Sequence, residues 1–240
     1  MENTMRALVQ RSHRGPDDLT LTDLPVPAAG PGEYLVRVGA AGVNFADVMQ
    51  TRGTYGDGPE PPYPAGFEAA GEVVAAGPGA PLPVGTHVVG AGPGAFAQYV
   101  VVPAAGAVPV PAGWTDAQAL GMVLNWATAL AALKPLGQVE PGDVVLVHAA
   151  AGGVGQAAVQ LARHYGARVL ATASPAKHDT VRVLGVEEVL DSTRPDLAEE
   201  VVRRTGGADV VLESVGRATF AMSLSVAKPF TGRVVVFGAA

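Results

Sequence analysis

Val144-Val145-Leu146-Val147 is an unbroken apolar run that passes through His148 into Ala149-Ala150-Ala151-Gly152-Gly153-Val154-Gly155-Gln156-Ala157-Ala158. A buried strand, a turn of very small residues and a helix follow one another. No other segment restricts the fold of this chain so strongly. Gly152 and Gly153 let backbone approach a pyrophosphate, flanked by Ala151 and Val154, and Gly155 lets the helix pack closely on the strand. The helix start offers free N–H groups and a partial positive charge to phosphate. The literal G-x-G-x-x-G pattern is not met, because residues 150–155 read Ala-Ala-Gly-Gly-Val-Gly. Such a turn can also serve tight packing alone. The dinucleotide reading rests on its position between a strand and a helix of a βαβ unit.

Strand and helix signals alternate through the rest of the second half. Apolar runs at 144–148, 168–172, 188–190, 209–213 and 233–237 predict strands. Between them, 154–165, 175–184, 196–204 and 218–227 predict helices, and a helix over 116–133 leads in. This order predicts an α/β fold with a doubly wound parallel sheet covered on both faces. The common dinucleotide-binding order has six strands. Here the sheet reads as truncated after its fifth, which would bare that strand's edge and part of an apolar face. Residues 1–115 are different in kind. Arg6–Val9, Tyr34–Val38 and Gly71–Val74 are short strand-like runs separated by Pro/Gly turns, and only 44–52 holds a helical period. We expect a β-rich domain over 1–115 and a dinucleotide domain over 116–240.

Composition narrows the functional classes. The chain has no cysteine, which excludes disulfides and thiolate zinc sites. The net charge of −6 argues against nucleic acid and anionic membranes as partners. His13, His87, His148, His164 and His178 show no ligand spacing and read as surface or core, so no metal is expected. The start Met1–Arg6 lacks the layout of a signal peptide. Three uncharged stretches are long enough to consider as membrane spans. Residues 88–115 are broken by Gly and Pro, 119–133 suits a buried helix, and 144–162 splits into strand and helix. The expectation is a soluble, cytoplasmic protein.

The second predicted strand ends Leu170-Ala171-Thr172-Ala173-Ser174-Pro175-Ala176-Lys177. An NAD site usually carries Asp or Glu here for the ribose 2′-OH. Ala173 and Ser174 instead leave room for a 2′-phosphate, Ser174 can donate a hydrogen bond, and Lys177 can neutralise charge. NADPH is the expected cofactor. The plainer reading of Lys177 is a solvated lysine at a helix start.

Several segments together resemble the medium-chain dehydrogenase/reductase superfamily, in its zinc-independent quinone oxidoreductase branch related to zeta-crystallin. They are Gly42-Val43-Asn44-Phe45-Ala46-Asp47, Arg52-Gly53-Thr54-Tyr55, Pro64-Ala65-Gly66-Phe67-Glu68-Ala69-Ala70-Gly71, the 150–155 loop and Val236-Phe237-Gly238-Ala239. Residues 148–185 also resemble enoyl reductase domains of polyketide synthases. The resemblance implies a GroES-like β-rich first domain followed by the Rossmann-type sheet, with a cleft between them. It implies that Asn44, Asp47 and Tyr55 face the nicotinamide from the first domain, Asn44 binding cofactor ribose or substrate carbonyl and Tyr55 donating a hydrogen bond or proton. Thr128, Phe237 and Gly238 would line the nicotinamide pocket. Bare sequence offers other roles: Asn44 as helix cap, Asp47 as first-turn acid, Tyr55 as loop tyrosine, Thr128 as core threonine and Gly238 as a strand-end turn. Phe67 stands where zinc-dependent members carry histidine. The implied activity is hydride transfer from NADPH to a quinone or an α,β-unsaturated carbonyl such as an enoyl thioester. Family members continue past the fifth strand into a segment that helps form a homodimer. The alternatives are an NADPH-binding structural or partner-binding protein with little catalysis, and an incomplete enzyme.

Overall fold

The computed structural model describes residues 4–186 and 188–238, which fall in two compact units, Met1–Leu124 and Asn125–Ala240. Ala239 of the last family-like motif lies outside the described residues.

The first unit contains strands β1 (Thr4–Gln10), β2 (Leu19–Pro25) and β3 (Glu33–Gly42), then the short helix α1 (Phe45–Thr51). It continues with β4 (Tyr63–Pro64), β5 (Glu68–Ala76), β6 (His87–Ala91), β7 (Tyr99–Pro103), β8 (Val108–Pro109) and α2 (Asp116–Ala119). All its ladders are antiparallel, in the orders β2-β1-β4 and β7-β3-β5-β6-β8. Alternate residues of β3, β5 and β7 point inward: Tyr34, Val36, Ala69, Val73, Val100 and Val102 make one core. A smaller one joins Ala70 and Val89 to Ala119 of α2.

The helix expected over 116–133 is interrupted. Thr115 caps α2 by accepting from the Gln118 N–H. Leu120 then leaves helical geometry with ψ 144° and Gly121 takes φ 88°. Helix resumes as a π turn Met122–Trp126, α3 (Ala127–Ala131) and a second π turn Ala132–Leu136 around Pro135. By length and composition Asp116–Leu136 would suffice to cross a membrane. It is not the buried helix expected: Ala129, Ala132 and Leu133 face inward, but Trp126, Leu130 and Leu136 are exposed.

The second unit follows the predicted alternation. Its strands are β9 (Val144–Val147), β10 (Arg168–Ala173), β11 (Glu188–Asp191), β12 (Val210–Glu213) and β13 (Arg233–Val236). Its further helices are α4 (Gly153–His164), α5 (His178–Arg182), α6 (Leu197–Thr205) and α7 (Ala218–Val226). The five-stranded sheet is parallel in the order β11-β10-β9-β12-β13. Numbered from β9 this is 3-2-1-4-5, the Rossmann arrangement through its fifth strand. Val145 and Val147 pack with α4 on one face; Val144 and Leu146 pack with α6 and α7 on the other. β13 is a sheet edge whose Val236 is exposed, as are Phe220 and Leu224 on α7.

Candidate functional site

In a doubly wound sheet, ligands bind beyond the carboxyl ends of the strands, where the strand order reverses. β9 is that point here. A cleft of about 600 Å³ opens there, lined by the turn after β9 (His148, Ala149, Ala151, Gly152), the end of β10 (Thr172, Ala173, Ser174, Lys177) and the turn after β11 (Ser192, Arg194). Leu197, Ala198 and Met222 supply an apolar wall.

The turn is built by its small residues. Ala149 takes a left-handed conformation, φ 47°, and its carbonyl accepts the Gly152 N–H at 2.9 Å. Gly152 is extended and leads into α4. The first N–H groups of that twelve-residue helix have no intrahelical acceptor, which makes them available to an anion. A Cβ on Gly155 would collide with the Ala149 carbonyl and come within 2.7 Å of Ala150 Cα, so the helix lies on the turn as closely as glycine allows. A Cβ on Gly153 would meet the Asn125 amide at 2.6 Å. Gly153 therefore answers to the lead-in helix as well as to any ligand.

Charge and burial divide the cleft. Lys177 ends a 3-10 turn that Ser174 opens, and its N–H donates to the Ser174 carbonyl at 2.8 Å. Among the described residues no side chain pairs with the Lys177 ammonium. Arg194 is held by both oxygens of Asp196 at 2.6 Å. Deeper in, His148 is 2% exposed. Its Nδ1 lies 3.0 Å from Thr172 Oγ1, and its Nε2 has no partner among the described residues. Burial pushes the imidazole pKa down, opposed in part by the Glu213 carboxylate. Glu213, at the end of β12, accepts the Val215 and Gly216 N–H groups and the Ser223 hydroxyl.

Of the residues anticipated for cofactor, the cleft brings together Ala151, Gly152, Ser174 and Lys177. Gly153, Val154 and Gly155 lie behind them in the first turn of α4. Thr128 sits half-buried in α3, and neither it nor Phe237 nor Gly238 lines the cleft. Phe237 extends the β13 ladder, donating to the Glu213 carbonyl at 3.1 Å, and Gly238 lies against Ser214. Sequence reasoning missed His148, Thr172, Ser192 and Arg194. Strand order could have found them, since in a parallel sheet the residues just past neighbouring strands converge.

The first unit carries a separate polar cluster. Asn44 precedes α1; its N–H donates to Asp47 Oδ2 at 2.7 Å and its side-chain amide to Glu68 Oε2 at 3.2 Å. Glu68, 1% exposed, also accepts the Gly121 N–H at 2.8 Å. Asp47 is buried and serves the start of the helix, and among the described residues neither its Oδ1 nor the buried Tyr63 hydroxyl has a partner. Burial pushes the Asp47 carboxyl up, the Asn44 N–H acts against this, and Glu68 adds to the rise. Burial and then Asp47 raise Tyr63. Tyr55 is apart from this network: 42% exposed on the turn after α1, its ring 6.4 Å from that of Phe67.

Residues 30–112 match the alcohol dehydrogenase GroES-like domain family, and residues 153–240 match the zinc-binding dehydrogenase family. The mycobacterial protein Rv1454c, solved in complex with NADPH, is 36% identical over 98% of this chain and 74% of its own, with a TM-score of 0.90. CurK enoyl reductase is 32% identical over 99% and 74%, TM-score 0.90. A mycobacterial quinone oxidoreductase is 38% identical over 98% and 74%, TM-score 0.82. The chain belongs to the medium-chain dehydrogenase/reductase superfamily. It spans 6% of the length of the curated pikromycin polyketide synthase component PikAII of Streptomyces venezuelae, to which it is 42% identical over 87% of its own length. Zinc does not fit the residues present in the first unit. Phe67 precedes Glu68, both Glu68 oxygens are taken by Asn44 and Gly121, and the chain has no cysteine. A dinucleotide does fit the cleft: a glycine cradle, helix N–H groups and a cation at its rim.

Proposed function

We propose that this chain binds NADPH in the second unit's cleft and acts, without zinc, as a reductase of quinones or α,β-unsaturated carbonyls. The observation that carries the cofactor reading is the floor and rim of the cleft. Ala173 and Ser174 stand where an acidic residue would repel a 2′-phosphate, and the Lys177 ammonium lines the same space. Rv1454c, with NADPH in its structure, supports it. The α4 N–H groups would hold the pyrophosphate, Ser174 and Lys177 the 2′-phosphate, and Arg194 the same anion once shared with Asp196.

When bound, NADPH supplies a hydride to an electrophilic carbon or a quinone oxygen. The chain's own part is orientation and protons. We assign Asn44 to orient the acceptor through its amide. The Tyr55 hydroxyl, exposed and free of any intramolecular hydrogen bond among the described residues, donates the proton that balances the hydride. Asp47 acts indirectly, by fixing the Asn44 backbone. The acceptor class rests on the likeness to quinone and enoyl reductases.

The test is NADPH oxidation at 340 nm by the 240-residue chain, with a panel of quinones, enones and enoyl thioesters against a no-acceptor control. Acceptor-dependent oxidation that falls in Tyr55→Phe is expected. Binding of NADPH without turnover on any acceptor would replace the reductase by a cofactor-binding protein.

A further inference from the structure

His148 is a titratable group inside the candidate cleft, and the function above gives it nothing to do. It follows β9 at the point where the strand order reverses, lines the cleft, and is 2% exposed. One ring nitrogen is tied to Thr172, and the other has no partner among the described residues. We propose that His148 couples occupancy of the cleft to a proton: an anionic pyrophosphate entering the cleft makes the neutral imidazole take up one proton from solvent. This rests on the reading that a dinucleotide binds there.

Three features support the coupling. First, Thr172 suits either state of the ring, because a hydroxyl can donate to a bare Nδ1 or accept from Nδ1–H by rotating. The contact holding the ring survives protonation. Second, the ring is already buried, so a bound ligand removes little further water from it. The same ligand brings negative charge into a poorly solvated space, where charges interact strongly. The charge effect therefore exceeds the added desolvation. Third, the fixed charges nearby are present in both states. Glu213 on the neighbouring β12 favours the imidazolium; Lys177 and Arg194 line the cleft and oppose it, and Asp196 already neutralises Arg194. What changes on binding is the phosphate charge.

The experiment is titration calorimetry of the 240-residue chain with NAD+ at about pH 6.5, the ordinary histidine value, in buffers of differing ionisation enthalpy. NAD+ is the first probe because a 2′-phosphate itself titrates near pH 6 and would add protons of its own. The expected result is uptake of a substantial fraction of one proton per NAD+, vanishing near pH 8, and absent from the binding that His148→Gln retains. In parallel, the five histidine imidazoles are followed by NMR with and without saturating NAD+ or NADP+. One buried imidazole should titrate at higher pH in the complex. Saturable binding with no buffer-dependent heat, or uptake that persists in His148→Gln, would overturn the proposal. If that variant does not fold, or only NADP+ binds, the NMR titration decides. No imidazole shifted upward would then overturn it. No binding of either dinucleotide to the folded chain would instead overturn the cofactor reading beneath it.

Discussion

Glu68 in the first unit and Glu213 in the second are both almost completely buried, and the two are used differently. Glu68 on β5 accepts from the Asn44 side chain and the Gly121 N–H, groups that lie far from it along the chain in opposite directions. It fastens the start of α1 and the break after α2 to the sheet. Glu213 on β12 accepts from Val215 and Gly216, its own following turn, and from Ser223 on α7. It shapes the end of one strand beside a cleft. Near each lie buried groups with no partner among the described residues: Asp47 Oδ1 and the Tyr63 hydroxyl in the first unit, His148 Nε2 in the second. The same residue type thus acts as a long-range staple in one unit and as a local organiser of a binding surface in the other.

Removing the two carboxylates sharpens that contrast most. Glu68→Leu leaves the buried Gly121 N–H and the half-buried Asn44 amide without their acceptor and should cost about 2–4 kcal/mol of stability. Glu213→Leu should cost about 1–2 kcal/mol, because its turn N–H groups are half-buried and can reach water, and Ser223 can still donate to the Thr219 carbonyl. Urea unfolding of both variants measures the difference; equal losses would erase the distinction. Glycines give the next comparison. A Cβ on Gly155 strikes backbone, whereas a Cβ on Gly42 strikes the end of the Glu68 side chain. Gly155→Ala should therefore cost about 1–3 kcal/mol and abolish dinucleotide binding. Gly42→Ala should leave that binding intact, as a nicotinamide fluorescence titration would report.

The titrating groups of the two units are predicted to act with opposite sign. His148 is depressed in the folded chain. Below about pH 6.5 the unfolded chain takes up a proton that folded His148 refuses. Stability tied to this group is complete above that pH and is lost as pH falls toward the folded value. His148→Gln should flatten the slope of unfolding free energy between about pH 7 and about pH 5, a window that spans the ordinary histidine value. An unchanged slope would contradict the depression. Asp47 is raised, so ionising it within the fold is unfavourable, and the stability it gives is gained as pH falls through its folded value. Asp47→Asn keeps an oxygen for the Asn44 N–H and should be neutral or stabilising by about 0.5–1 kcal/mol at neutral pH. A clear loss of stability there would mean that the carboxylate charge matters to the cap.

The second unit was legible because its strands are covered on both faces. Val144–Val147 and Val210–Glu213 are wholly buried, and such strands read as continuous apolar runs. In the first unit β2 was missed, since its Leu-Thr-Leu-Thr alternation is half-exposed. β7 lay hidden in an uncharged stretch full of Gly and Pro. Within the cleft, the glycine turn and Lys177 are local in sequence and could be read. His148 with Thr172, and Arg194 beside Lys177, become neighbours only through the register of β9, β10 and β11. The break at Leu120–Gly121 follows from a long-range bond, Gly121 N–H to Glu68, that no local pattern announces.

Reduction of any acceptor by this chain requires the cleft at the end of β9 to hold NADPH. Equilibrium titration of the 240-residue chain with NADPH and NADH, read by nicotinamide fluorescence, tests this most directly. Such a site predicts saturable binding of both, NADPH the tighter by about tenfold or more, as one charge-assisted contact of about 1.4 kcal/mol gives, with the advantage lost in Lys177→Ala. Equal affinities that Lys177→Ala leaves unchanged would contradict the 2′-phosphate assignment, and no saturable binding by a chain that unfolds cooperatively would contradict the site itself.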